Sequence, residues 1–145
     1  METKNVIISM QSMHGLNLQE TDQLEFTTDG VYSHDDSVST LSYDESEVTG
    51  LPGTVTTVSV YDDRIVVDRT GGINSRMIFK EGCRESFLYS TPFGDATMGV
   101  DTRKIRHTFG DRGGQVEVDY IVNLEHVVAM RNKFFIDVSE PGGKQ

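Results

Sequence analysis

The residues of this chain that could do chemistry share one property: each falls in phase with an apolar strand face. Tyr43 and Glu45 follow Leu41 at intervals of two, and Arg69 follows Ile65 and Val67 in the same way. Tyr89 and Thr91 follow Phe87, Thr102 follows Met98 and Val100, and Tyr120 lies between Val118 and Val122. Side chains alternate between the two faces of a strand, so polar residues in phase with inward apolar ones also point inward. A buried carboxylate without a partner is very costly. A guanidinium can offer it two charge-assisted hydrogen bonds, which makes Arg69 the expected partner of Glu45. Two readings follow. In the first, Tyr43, Glu45, Arg69, Tyr89, Thr91, Thr102 and Tyr120 are candidate ligand-binding residues at one end of an interior. In the second, the Glu45–Arg69 pair is structural and closes that end. A third reading makes Glu45 the acid or base of an enzyme.

The remaining reactive residue types do not assemble into a motif. His14, His34, His107 and His126 lack metal-ligand spacing, and His34-Asp35-Asp36 lacks the spacing of a calcium loop, so no metal is expected. His107, in phase with Ile105 and Phe109, reads as a packed histidine. Ser86 and Ser90 lack the glycine pattern of a nucleophile elbow, so no residue is assigned as catalytic. Gly71-Gly72 and Gly113-Gly114 open no helix and read as hairpin corners rather than phosphate loops, so no cofactor is expected. Cys83 is the sole cysteine, which rules out an intramolecular disulfide, and it reads as an incidental turn thiol in a reduced, cytoplasmic protein.

The elements that must position the polar set alternate with period two and break at short intervals, the pattern of an antiparallel all-β chain. Strands are expected at about residues 4–10, 22–33, 38–47, 54–61, 64–69, 74–80, 86–91, 96–109, 115–124 and 129–138. Met13, Leu16 and Leu18 could instead sit on a short turn within residues 12–23. Thr91-Pro92-Phe93-Gly94 is a tight corner, because proline presets φ and glycine tolerates positive φ. Along the eighth strand the apolar phase slips, from Met98 and Val100 to Ile105 and Phe109. Such a slip is the mark of a β-bulge, expected near Arg103-Lys104. Many short, twisted strands joined by tight turns form a meander, and closing it removes exposed edges. The expected fold is an antiparallel up-and-down meander closed into a barrel of about eight to ten strands.

The length of 145 residues suits one domain, placed at residues 1–140 with a frayed tail at 141–145. A formal net charge of −10 argues against nucleic acid and anionic membrane surfaces, which reward clustered Lys and Arg. The short run Arg103-Lys104-Ile105-Arg106 reads as a solvated hairpin flank. The apolar run Val6-Ile7-Ile8 is too short for a signal-peptide core, and no stretch is long and apolar enough to span a bilayer.

A set of segments is similar to a known family. It comprises Leu41-Ser42-Tyr43-Asp44-Glu45, Ile65 to Arg69 followed by Gly71, Met77-Ile78-Phe79-Lys80-Glu81-Gly82, Tyr89-Ser90-Thr91-Pro92-Phe93-Gly94, Gly99-Val100-Asp101-Thr102, Gly113-Gly114 and Tyr120. In order and spacing these resemble the YwiB-like proteins of Gram-positive bacteria, domain-of-unknown-function family 1934. The resemblance covers almost the whole chain. It implies a calycin-like (lipocalin-like) β-barrel and a bacterial cytosolic setting, and it supplies no activity. The expected function is non-enzymatic binding of a small molecule in or at the mouth of the barrel. The alternative is a structural or regulatory interaction module with a protein partner, such as a homodimer through strands nine and ten or an edge strand.

Overall fold

The computed structural model describes residues 3–15, 21–45, 52–92, 94–124 and 128–141. Ten strands form among the described residues: β1 (Thr3–Gly15), β2 (Thr21–His34), β3 (Val38–Asp44), β4 (Thr54–Tyr61), β5 (Ile65–Gly71), β6 (Ser75–Phe79), β7 (Arg84–Thr91), β8 (Gly94–Gly110), β9 (Gly113–Leu124) and β10 (Val128–Ser139). All are antiparallel and belong to one sheet in the order β6-β5-β4-β3-β2-β1-β10-β9-β8-β7. This is the expected up-and-down meander, with β1 clasped between β2 and β10. The ends of the sheet, β6 and β7, meet at an isolated bridge, where the amides and carbonyls of Asn74 and Ser90 exchange two hydrogen bonds of 3.0 Å. The barrel is therefore nearly closed, with its seam between β6 and β7.

The strand ends differ from expectation where pairing extends them. β1 runs to Gly15 because both neighbours continue alongside it: Met13 lies opposite Gln23 of β2 and Lys133 of β10. Ser12 and Met13 are thus strand residues rather than part of a turn, while Leu16 and Leu18 lie outside the described residues. β3 ends at Asp44, short of the expected Glu47, which also lies outside them. The corner after β7 joins Thr91 to its partner Gly94, whose φ is 134°; Phe93 is outside the described residues. His126 and tail residues 142–145 fall outside them as well. The bulge falls where the phase slip places it: Thr102 lies opposite Tyr120 and Lys104 opposite Asp119, leaving Arg103 as the extra residue.

Closure makes the barrel interior the core. Ile8, Tyr32, Leu41, Ile65, Val100, Val116 and Val118 are fully buried, each at an alternate position of its strand. Leu88, out of phase with Phe87, is exposed. Phe79, Tyr120 and Phe134 pack edge to face, with ring centroids 4.7 to 6.0 Å apart. On the outer surface charged side chains pair across strands, as in Arg131–Asp119 at 3.1 Å and Lys133–Glu117 at 2.8 Å. Lys104 lies opposite Asp119 and Arg106 opposite Glu117, so acidic neighbours face the basic run of β8.

Tyr32 ties the two halves of the barrel together. Its ring is fully buried, and its hydroxyl donates to the carbonyl of Gly110 at the end of β8, at 2.6 Å. Tyr32→Phe leaves that carbonyl without its donor and should cost about 1–3 kcal/mol in urea unfolding. A change below the measurement error would show that water replaces the bond.

Candidate functional site

Strand register assembles the polar set. Tyr43 of β3 lies opposite Thr56 of β4, Thr56 opposite Arg69 of β5, and Arg69 opposite Ser75 of β6. In an antiparallel ladder directly opposed residues share a face, so these four form one polar row across the inside of the sheet. The row two residues deeper, Leu41–Val58–Val67–Met77, is apolar. Glu45 follows just beyond β3, and its amide donates to the carbonyl of Thr54 at 2.8 Å, which holds it beside the row.

The expected pairing of Glu45 with Arg69 occurs, in a looser geometry than a bidentate bridge. Arg69 Nε stands 3.9 Å from Glu45 Oε2, beyond hydrogen-bond range. The close partner of the carboxylate is Thr56, whose hydroxyl donates to Oε2 at 2.5 Å. Glu45 is 8% exposed and Thr56 1%, so this contact is dry, whereas the Arg69 side chain remains 25% exposed. Arg69 Nε is itself buried and makes no hydrogen bond among the described residues. Ser75 Oγ and Thr54 Oγ1 are likewise buried without partners there.

Tyr43, Thr56 and Arg69 border a cavity in which water-sized molecules can occupy about 90 Å³. Its lining includes Tyr43, Thr56, Arg69, Tyr120 and Ser12 on the polar side, and Met10, Val58, Val67, Met77, Phe79, Phe134 and Ile136 on the apolar side. A single water needs roughly 10–15 Å³ on this measure, so there is room for several waters or a compact solute. Burial pushes the Tyr43 hydroxyl far above the usual tyrosine range, and the negative charge of Glu45 raises it further against the pull of Arg69. Burial also pushes Tyr120 up to about 12, with Arg69 opposing. Both tyrosines are neutral hydroxyls at physiological pH.

Of the residues singled out by sequence, Tyr43, Arg69 and Tyr120 line the cavity, and Glu45 stands behind them on Thr56. Tyr89 packs against the core without lining it. Thr102 is buried at the bulge, where its backbone exchanges hydrogen bonds with Gly82 and Cys83, away from the lining. Thr91 ends β7, and its side chain lies outside the described residues. Thr56, Ser12, Met10 and Met77 were not singled out. Thr56 carries a readable signal, because it stands in phase with Val58 and Val60 as Tyr43 does with Leu41. Two further hollows on the outer face are lined mainly by charged or polar side chains, among them Lys104, Arg106, Glu117, Asp119 and Lys133. Among the described residues no three His, Cys, Asp or Glu side chains gather as around a metal, and no helix is long and apolar enough to cross a membrane.

A ten-stranded meander barrel with a polar row at one end of its interior is the class of protein these observations define. The chain belongs to the family described as domain of unknown function DUF1934, whose profile matches residues 8–136. Among solved structures it is similar to the crystal structure of the ywiB protein from Bacillus subtilis, with a TM-score of 0.84 and 20% identity over 95% of this chain and 92% of that one. At that identity the likeness shows the fold. None of the curated proteins matches the chain.

Two outcomes follow from the polar row. Glu45→Ala strands the Thr56 hydroxyl and leaves Arg69 without its counter-charge, so it should cost about 1–3 kcal/mol in urea unfolding; an unchanged midpoint would mean that the carboxylate contributes nothing to the fold. Tyr120 gives a pH dependence. Its folded-state pKa of about 12 exceeds the unfolded value of 10.0, so between those limits the native chain holds a proton that the unfolded chain has released. Its contribution is complete below pH 10.0 and is lost as pH rises through about 12. The loss is on the order of 3 kcal/mol. Tyr120→Phe should flatten the alkaline arm of the stability profile, and an arm of unchanged slope would place the titration elsewhere.

Proposed function

We propose that this protein binds a compact small molecule in the polar-ended cavity of its barrel, without performing chemistry on it. The observation that carries the reading is the buried Arg69 Nε donor, left without a hydrogen bond on the wall of a cavity that has room for a solute. A buried donor without an acceptor costs free energy, and a ligand that supplies the acceptor returns it. The size of the cavity supports a small ligand. Drug-sized molecules need roughly 300–1,000 Å³, so the long apolar cargo of a wide-lumen, lipocalin-like barrel does not suit this one. The position of Glu45 supports binding over catalysis, because an acid or base must reach its substrate, whereas Glu45 is buried, has one oxygen held by Thr56 and is not among the residues that line the cavity.

The interaction-module reading has less support. The exposed large apolar side chains among the described residues, Val31, Val55 and Leu88, sit singly on β2, β4 and β7, and scattered apolar residues are ordinary surface.

Native mass spectrometry of the protein purified gently from a Bacillus host tests the proposal. The expected result is a reproducible extra mass on the folded chain, lost in Val67→Phe, which fills the cavity from its apolar wall. A clean unliganded mass, unchanged on adding a small-metabolite extract, would overturn it.

A further inference from the structure

Resting on the binding reading above, we infer that the ligand is uncharged, carries a hydrogen-bond acceptor such as a carbonyl oxygen, and presents a compact apolar body to the opposite wall. Three observations converge on this class.

The first is charge. Arg69 and Glu45 place one positive and one negative group 3.9 Å apart at the polar end. An anionic ligand that reaches Arg69 also meets Glu45, and a cationic one meets the reverse. Either leaves a third charge in a poorly hydrated site, where desolvation outweighs an attraction already half satisfied. A neutral ligand keeps the balance.

The second is hydrogen bonding. The carboxylate oxygen Oε2 of Glu45 is taken by the Thr56 hydroxyl. On the donor side, Arg69 Nε–H is buried and makes no hydrogen bond among the described residues. Tyr120 lines the same cavity, and burial keeps its hydroxyl protonated. On this wall the guanidinium can only donate, while the hydroxyls of Ser12, Tyr43, Thr56 and Tyr120 can donate or accept, so a ligand that accepts is the one that meets Arg69.

The third is shape. Met10, Val67, Met77 and Phe134 form the apolar wall. Methionine is unbranched and polarizable and adapts to irregular small solutes. The volume of about 90 Å³ limits the body to a short branched or small cyclic group.

The experiment uses three probes of the same shape and different charge: isobutyramide, isobutyrate and isobutyramidinium. Each is titrated into the full chain carrying 13C-methyl methionine, with NMR as the readout. Met10 and Met77 line the cavity and report occupancy, while Met13, Met98 and Met130, which do not line it, serve as internal controls. Isobutyramide should shift the Met10 and Met77 methyls with an apparent Kd at least tenfold below those of the charged probes. Arg69→Met should weaken it at least tenfold. Tyr120→Phe, which removes one hydroxyl and keeps the ring, should weaken it several-fold and guards against a misfolded Arg69 variant. Tighter binding of isobutyrate or isobutyramidinium at the same methyls would overturn the neutral-ligand inference and leave the binding barrel standing. No response of Met10 and Met77 to any probe, with the controls also silent, would overturn both.

Discussion

The described residues form a single sheet with no helix among them to cover it, and such a sheet can bury an apolar face only by folding that face onto itself. This constraint governs the structure. Each of the ten strands contributes alternate residues to one shared interior, so the width of the barrel and the content of its core are the same variable. The meander closes by placing β1 between β2 and β10, so nine residue pairs tie the first strand to the last. The remaining edges meet across the short β6–β7 seam, held by the Asn74–Ser90 bridge. Closure deals with most of the exposed edge, the feature that makes open sheets prone to pairing with other chains.

The same constraint explains why the polar row matters. In a closed barrel an inward polar side chain has no neighbouring layer to satisfy it; its partners come from across the lumen, from the next strand, or from whatever fills the space. Glu45 and Thr56 solve this between themselves at short range. Arg69 does not, because 3.9 Å is too long for a hydrogen bond. A purely structural ion pair gains most from bidentate geometry, and an unsatisfied buried donor costs about 1–3 kcal/mol. The row therefore holds one settled half and one unsettled half, and the unsettled half faces the cavity.

Much of this was legible in the sequence because period-two alternation reports directly on inside and outside. Leu41, Tyr43 and Glu45 are buried in step, and so are Ile65 and Val67 ahead of Arg69. The phase slip between Val100 and Ile105 located the bulge because a one-residue insertion inverts every later side chain. Cross-strand register was not legible, since it depends on which residues of distant strands come to face each other. That is why Tyr89 and Thr102, in phase like the others, stand away from the cavity, and why Thr56 was missed. A threonine in a Thr- and Val-rich strand fits β-propensity alone; only its placement between Tyr43 and Arg69 gives it a role.

Register also decides what Glu45 can do. A carboxylate acting as general acid or base needs an open path to a substrate proton. Here one oxygen is held by Thr56, the residue is 8% exposed, and the amide is pinned to Thr54. In that setting its negative charge acts on its neighbours. It raises the Tyr43 pKa and offsets the charge of Arg69. Without Glu45, Arg69 would be a lone cation at the end of an apolar cavity and would draw in any small anion. With it, the guanidinium keeps its hydrogen-bonding capacity while its net charge is cancelled. On the binding reading proposed above, the carboxylate sets the selectivity of the cavity from behind, through the charge of a neighbour it does not hydrogen-bond.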